Sequence, residues 1–228
     1  MVIKMKVVIF DWGGVIAHKD PVPNNDKEAI IRTIRSFNTS LSNDEAWDIY
    51  MKTLTDENGT YISEQNDFQS IIKWINRLKA YGFFDTTLKE FERRFIEEHL
   101  RVDYYKDLVD YIHSLKDRCK IGIFSDLIYC CYPALDKQVD LSQFDYVWLS
   151  YLIHCRKTSQ EAFLVVENEL QVSPSDIMFI DDTEINISNA KERGWNTCKA
   201  YGYELDKIKA SIEKFLNDEY NKGVIVKK

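Results

Sequence analysis

Three short apolar segments of the chain are each followed at once by residues with acidic or hydroxyl groups. These residues are Asp11 after "KVVIF", Ser125 and Asp126 after "CKIGIF", and Asp181 and Asp182 after "IMFI". Short runs rich in β-branched residues predict buried strands of a parallel sheet. Because the carboxyl ends of parallel strands meet at one edge of a sheet, we expect these side chains to lie close together.

A lysine is expected at the same edge, because Lys157 lies in the loop after a further predicted strand, "FDYVWLSYLI". Carboxylates this close repel one another, and Mg²⁺, which prefers oxygen ligands, is the usual counter-charge. Such a site suits phosphoryl transfer, since a cation, a lysine and hydroxyl donors offset charge on the phosphate oxygens. The carboxylate of Asp11 could then attack phosphorus and form an aspartyl-phosphate that water hydrolyses. Gly13 and Gly14 would let the backbone approach the phosphate and the metal closely.

Four segments, taken in chain order, carry a resemblance to a known family. They are "VVIFDWGGV", "IGIFSD", Lys157 in "CRKTSQEAF", and "IMFIDDTEINISNAKERGW". They resemble the four motifs of the haloacid dehalogenase-like (HAD) hydrolase superfamily and extend over nearly the whole chain. The chain is most similar to the subgroup that carries a helical cap domain after the first motif.

The resemblance implies roles for the residues of the first and fourth motifs. Asp11 would be the nucleophile and a metal ligand, and the carbonyl oxygen of Gly13 would be a second ligand. Asp182 would bind Mg²⁺ directly, and Asp181 would assist directly or through water. The expected cofactor is therefore Mg²⁺.

The second and third motifs imply the phosphate site. Ser125 and the amide after it would bind the phosphate, together with the backbone at Gly13 and Gly14. Lys157 would stabilise both the nucleophile and the transferring group. Asp126, where relatives commonly have Asn, completes the expected set, but a carboxylate beside a phosphate is repelled unless it points away. A structural role for Asp126, such as an N-cap of the following helix, is the alternative.

One departure from the family pattern concerns the proton for the leaving group. Phosphatases of the family usually carry a second acid two residues after the nucleophile, where this chain has Gly13. General acid catalysis contributes about 10² to 10⁴ in rate, so slower turnover or a longer-lived aspartyl-phosphate is expected. A water, His18 or Asp20 are the candidate replacements.

The predicted order of helices and strands indicates the fold that brings these residues together. After the first strand come helical segments with apolar stripes, among them "DKEAIIRTIRSF" and "SNDEAWDIYMKTL", the latter with the capping box Ser42 and Glu45. From residue 119 strands and helices alternate, which predicts a mainly parallel sheet. The fold class is therefore α/β, a Rossmann-like core (residues 1–17 and 104–228) with an inserted all-helical cap (residues 18–103).

The composition and net charge of the chain indicate which kinds of partner it binds. The 228 residues are 45% hydrophobic and 29% charged with a net charge of -7, which is typical of a globular protein and disfavours nucleic acid or an anionic membrane as a partner. Five cysteines without a paired spacing predict reduced thiols and a cytoplasmic location. The expected partner is a small phosphorylated metabolite, and the expected assembly is a monomer or a homodimer.

Three alternatives come from other classes. A catalytically weak or silent binding or regulatory protein on the same fold would explain Gly13 and Asp126. The segment "FDWGG" also resembles that of phosphonoacetaldehyde hydrolases, which use a cap lysine, and Lys52 is the candidate here. A phospho-receiver domain is disfavoured, because its acidic pair precedes the phosphorylated aspartate in the chain.

Overall fold

A parallel sheet forms the centre of the computed structural model, which describes residues 5–66 and 68–222. Within these residues the sheet has five strands in the order β3-β2-β1-β4-β5, every pair parallel. The strands are β1 (Val7–Phe10), β2 (Lys120–Ser125), β3 (Tyr146–Leu149), β4 (Ile177–Asp181) and β5 (Asn196–Lys199). The prediction of an α/β fold with a mainly parallel sheet is confirmed.

Helices cover the sheet and form the segment between β1 and β2. In the part of the chain that the structure describes, they are α1 (Asp26–Phe37), α2 (Asn43–Thr53), α3 (Phe68–Gly82), α4 (Leu88–His99), α5 (Lys106–Ser114), α6 (Tyr132–Val139), α7 (Ser150–Ile153), α8 (Gln160–Leu170), α9 (Glu184–Glu192) and α10 (Leu205–Lys222). The predicted capping box is confirmed, since the Ser42 side chain accepts a hydrogen bond from the Glu45 amide and the Ser42 amide donates to the Glu45 carboxylate.

The two central strands are buried on both faces. All residues of β1 and β4 are inaccessible to solvent or nearly so, because helices pack on each side of the sheet. Val8 and Phe10 point into one apolar cluster, and Val7 and Ile9 point into the other. This alternation fixes the register of β1, because a shift by one residue would exchange its two faces.

Helices α1 to α4 share an apolar cluster that includes Trp74, Phe91 and Phe95, and Ile128 and Cys130 from the segment after β2 also belong to it. The chain enters and leaves this helical segment at adjacent points. The His18 amide donates to the Asp103 carbonyl (2.8 Å), and the Tyr105 amide donates to the Ile16 carbonyl (2.9 Å). The division of the chain into a core and a cap at residues 18 and 103 stays a prediction.

One local prediction is wrong. The segment "FDYVWLSYLI" forms a strand only as far as Leu149, and its last residues form the short helix α7. There the Ser150 hydroxyl donates to the Ser63 carbonyl (2.5 Å), a contact to the helical segment that an extended strand would not make. Helix α8 is capped at its start by Ser159, whose hydroxyl accepts from the Glu161 amide (3.2 Å).

Among the described residues, no helix is both long and apolar enough to cross a membrane.

Candidate active site

The Asp11 carboxylate lies at the carboxyl end of β1, held by the backbone. The amide of Asp11 donates to the Ile180 carbonyl of β4 (2.9 Å), which extends the sheet pairing by one residue. The amide of Trp12 donates to Asp11 Oδ1 (2.7 Å). Asp11 is 5% exposed, so its side chain is fixed in a largely dehydrated position at the sheet edge.

Lys157 connects two of the acids. Its Nζ lies 2.7 Å from Asp11 Oδ1 and 2.7 Å from Asp181 Oδ2, and its side chain is 2% exposed. Burial disfavours the ammonium, yet the charges of Asp11 and Asp181 outweigh it and raise the pKa of Lys157 above its ordinary value. Lys157 therefore stays charged. Burial and the charge of Asp181 raise the pKa of Asp11, so ionisation of Asp11 depends on cationic neighbours.

The two acids after β4 have different partners. Asp181 accepts hydrogen bonds at both oxygens, from the Thr183 amide (2.8 Å) and from the Asn186 side chain (3.2 and 3.0 Å). Asp182 binds Lys19, whose Nζ lies 2.9 Å from Oδ2. Asp181 thus accepts hydrogen bonds from three protein groups, Lys157, Thr183 and Asn186. Asp182 is bound by the Thr183 hydroxyl (3.2 Å) and by Lys19, which is 39% exposed.

The donor set fits a hard divalent cation. One carboxylate oxygen from each of Asp11, Asp181 and Asp182 lies within 4.8 Å of the other two, and all three residues are buried. Lys157 and Lys19 supply two positive charges against these three negative ones. Oxygen ligands and excess negative charge are what Mg²⁺ prefers.

The two glycines after Asp11 differ. Gly14 has φ +86°, and a Cβ built on it would lie 2.8 Å from Asp182 Cγ. Glycine is therefore needed here, since any side chain would displace the Asp182 carboxylate. At Gly13 a Cβ would meet no atom within 4 Å, so this position borders open space.

Ser125 lies at the end of β2, beside Asp126. The prediction that Asp126 caps the following helix is wrong. Asp126 Oδ1 accepts from the Lys157 amide (3.0 Å), and Arg156 Nε lies 3.2 Å from Oδ2. Because Asp126 binds the loop that carries Lys157, it positions that lysine and is neutralised by Arg156. Its structural role, the alternative at this position, is what the contacts support.

Two cavities meet at this edge of the sheet. The catalytic cavity, about 220 Å³, is lined by charged and polar residues that include Asp11, Lys19 and Lys157. The insertion cavity, about 190 Å³, lies between the sheet edge and helices α1, α2, α4 and α6. Its walls include Ile30 and Phe95 together with the polar side chains of Tyr50 and Tyr61.

A protein-family comparison agrees with this geometry. The model of haloacid dehalogenase-like hydrolases matches residues 5–194. The chain belongs to this family. It is therefore a HAD-like hydrolase, as the order of its motifs predicted.

Individual relatives are distant. D-ribitol-5-phosphate phosphatase of Bacteroides thetaiotaomicron is 24% identical over 200 residues, which cover 85% of this chain and 90% of that protein. A HAD family enzyme of the same organism, solved in complex with magnesium and inorganic phosphate, superposes with a TM-score of 0.65 at 17% identity, over 85% of this chain and 93% of that one. L-2-haloacid dehalogenase of Xanthobacter autotrophicus gives a TM-score of 0.59 at 16% identity, over 85% and 76%. These structures share the HAD fold.

Several residues of the HAD-like site lack a sequence signal. Lys19, Asp26 and Arg156 line the catalytic cavity, yet each lies outside the strand-end pattern. Lys19 and Asp26 follow β1 by several residues, so only the path of the intervening loop brings them to the edge. Arg156 precedes Lys157 directly, and a basic pair after a strand was the one hint available.

The other candidates lie elsewhere. His18 Nδ1 is 2.9 Å from the Pro23 carbonyl oxygen, and Asp20 pairs with Lys27 (3.3 Å). Lys52 is exposed on α2 and, within the described residues, lines neither cavity. The cap-lysine chemistry of phosphonoacetaldehyde hydrolases therefore has no support at Lys52.

Proposed function

We propose that this HAD-like hydrolase is a Mg²⁺-dependent phosphatase of small phosphomonoesters, acting through an aspartyl-phosphate on Asp11. The observation that carries the proposal is the Asp11 carboxylate, bound to Lys157 Nζ at 2.7 Å and within 4.8 Å of Asp181 and Asp182 in a cavity that Ser125 also lines. A nucleophilic carboxylate among cationic groups and hydroxyl donors is the arrangement that phosphoryl transfer needs.

Each residue has a distinct task in the proposed reaction. Asp11 attacks phosphorus from its fixed position at the end of β1, while Lys157 keeps the carboxylate ionised and contacts a phosphoryl oxygen. Ser125 donates a hydrogen bond to the phosphate. Asp11, Asp182 and the Gly13 carbonyl would hold Mg²⁺, with Asp181 assisting, and the bound ion would offset charge on the phosphoryl oxygens.

The substrate is proposed to be a sugar phosphate or polyol phosphate. The relative that is a D-ribitol-5-phosphate phosphatase supports this class. The insertion cavity of about 190 Å³ is smaller than the roughly 300–1,000 Å³ that holds drug-sized ligands, so it suits a metabolite of a few carbons. Its polar side chains include Tyr50, Tyr61 and Gln138, which can bind hydroxyl groups.

The test is phosphate release from a panel of phosphomonoesters that includes D-ribitol 5-phosphate, with Mg²⁺ and with EDTA. Asp11→Asn is the blank, and Asp44→Asn, an exposed aspartate in the first turn of α2, is the matched control. We expect release that requires Mg²⁺, is lost in Asp11→Asn and is retained in Asp44→Asn. Equal release by the wild type and Asp11→Asn on every ester would contradict the proposal and favour a binding role for the site.

A further inference from the structure

The two cavities share part of their lining, and this shared boundary is called the neck. The residues that line both are Gly13, Asp26, Ser125, Asp126 and Arg156. Four of them belong to the sheet edge or to the loop before Lys157. Asp26, the first residue of α1, is the member of this set that comes from the helical segment.

The neck is where the reacting bond must lie if the proposed function holds. The phosphate would occupy the catalytic cavity beside Asp11, and the organic part would occupy the insertion cavity. The oxygen that joins them, which becomes the leaving group, would then pass through the neck. An alkoxide is a poor leaving group, so a proton donor at this point is worth about 10² to 10⁴ in rate.

We propose that Asp26 is the general acid that protonates the leaving-group oxygen, in place of the acid missing at Gly13. This inference rests on the proposed phosphatase function. It deepens that function by assigning the proton donor to the helical segment and not to the first motif. Closure of the helical segment over a substrate would thus complete the catalytic site.

The Asp26 carboxyl group is available for this task. Its Oδ1 accepts from the Lys27 amide (2.9 Å), while the ammonium groups of Lys19 and Lys27 pair with Asp182 and Asp20. Burial raises the pKa of Asp26 above its ordinary value, which favours the protonated form that an acid needs. The titratable and charged groups around it are Lys19, Lys27, Tyr50, Cys131, Arg156 and Asp182.

The other candidate donors are occupied. Asp126 is bound by Arg156 and by the Lys157 amide. Asp20 pairs with Lys27 and lines neither cavity, a statement that covers the residues the structure describes. Asp26 is therefore the carboxyl group of the neck that, within the described residues, forms no ion pair.

The proposed proton path balances over both half-reactions. As the bond from Asp11 Oδ to phosphorus forms, the bond from phosphorus to the leaving oxygen breaks, and its electron pair stays on that oxygen. The Asp26 proton moves to this oxygen, which departs as an alcohol. In the second half-reaction, water attacks phosphorus, gives one proton back to Asp26, and frees the Asp11 carboxylate.

The experiment compares leaving groups. Asp26→Asn and the wild type are assayed with Mg²⁺ on the alkyl phosphate of the panel that the wild type hydrolyses fastest, and on p-nitrophenyl phosphate, whose phenolate departs without protonation. We expect kcat/KM, which reports the first half-reaction alone, to fall for Asp26→Asn about 10²-fold or more on the alkyl ester and less than about 10-fold on the aryl ester. Asp44→Asn, which also removes a first-turn carboxylate, should keep kcat on both esters, and thermal unfolding of each variant checks its folding.

The outcomes separate the two proposals. An equal loss of kcat/KM on both esters would overturn the inference, because it would make Asp26 a positioning or structural residue. No loss on either ester would overturn it too. If the wild type hydrolyses neither ester faster than Asp11→Asn does, the phosphatase function itself fails, and the role of Asp26 fails with it.

Discussion

The catalytic cavity and the insertion cavity touch at the same neck but are built differently. Around the catalytic cavity, which Asp11 lines, the carboxylates of Asp11, Asp181 and Asp182 each have a charged partner at 2.7 to 2.9 Å, and all three lie at or just after a strand end. The insertion cavity is walled by side chains from four helices, and its polar groups are spread among apolar ones such as Ile30. The first region is held by ion pairs and the backbone. The second is held mainly by packing, with hydrogen bonds from Gln138 Nε2 to the carbonyls of His99 and Val102.

This difference separates two tasks of the enzyme. A nucleophile must be held within a fraction of an ångström, and buried ion pairs on adjacent strands provide that order. A substrate pocket needs shape, which packed helices supply and which varies with every side chain. We therefore expect substitutions in the catalytic cavity to affect chemistry first, and substitutions in the insertion cavity to affect stability and substrate choice.

Lys157→Met should have the largest effect. It removes the ammonium group that lies between Asp11 and Asp181 and leaves three buried carboxylates together. We expect kcat to fall about 10²-fold or more, and the free energy of unfolding at neutral pH to fall by about 3–5 kcal/mol. Urea unfolding and phosphate release measure the two losses, with the exposed Lys52→Met as control. A variant that matches the wild type in both would show that the ion pairs do not organise this cavity.

The second prediction concerns His99, one of the residues that line the insertion cavity. Burial lowers the pKa of His99 to about 4, from an ordinary value of 6.5. The unfolded chain therefore binds a proton at this residue between pH 6.5 and 4 that the folded protein excludes, so stability falls as the pH falls through this range.

The corresponding measurement is urea unfolding of the wild type and of His99→Gln at pH 7 and at pH 4. Between pH 7 and pH 4, the free energy of unfolding of the wild type should fall by up to about 3 kcal/mol more than that of His99→Gln. At pH 7 the two proteins should have similar kcat on an aryl phosphate. All other titrating groups are present in both proteins, so their contributions to the pH dependence of the free energy of unfolding cancel when the two proteins are compared. Parallel losses in the two proteins would show that His99 is not shielded in the folded state.

The adjacent glycines give the smallest and sharpest comparison. Gly14→Ala places a Cβ against Asp182 at a φ of +86°, whereas Gly13→Ala meets no atom within 4 Å. We expect Gly14→Ala to lower the free energy of unfolding by about 2 kcal/mol and to raise the Mg²⁺ concentration needed for half-maximal activity. Gly13→Ala should lower the free energy of unfolding by less than about 1 kcal/mol. Losses of equal size from both substitutions would mean that the contact between Gly14 and Asp182 is unimportant.

The sequence predicted the catalytic cavity better than the insertion cavity, for a physical reason. A parallel sheet brings every strand end to one edge, so an acid placed after a buried strand has a known destination. Asp11, Asp181 and Asp182 lie together for this reason, and the loop after α7 brings Lys157 to the same edge. Their individual roles stay predictions that the experiments above address.

Lys19 and Asp26 escaped prediction because no periodicity governs the loop that carries them. The loop after β1 must turn back over the sheet edge for Lys19 to reach Asp182, and α1 must begin at the neck for Asp26 to line it. The N-cap predicted at Asp126 is wrong for a related reason. An aspartate after a strand is often a helix N-cap, and only the fold shows that Asp126 Oδ1 instead accepts a hydrogen bond from the Lys157 amide.

The most direct test of the account is to find the covalent intermediate. The wild-type enzyme, mixed with its best substrate and Mg²⁺, is quenched in acid during turnover, digested, and analysed by mass spectrometry for phosphorylated peptides. We predict one phosphoryl group on Asp11, absent from Asp11→Asn and enriched in Asp26→Asn if its second half-reaction is slowed. Phosphate release at full rate with no phosphoryl group on Asp11, or with the group on another residue, would contradict the account.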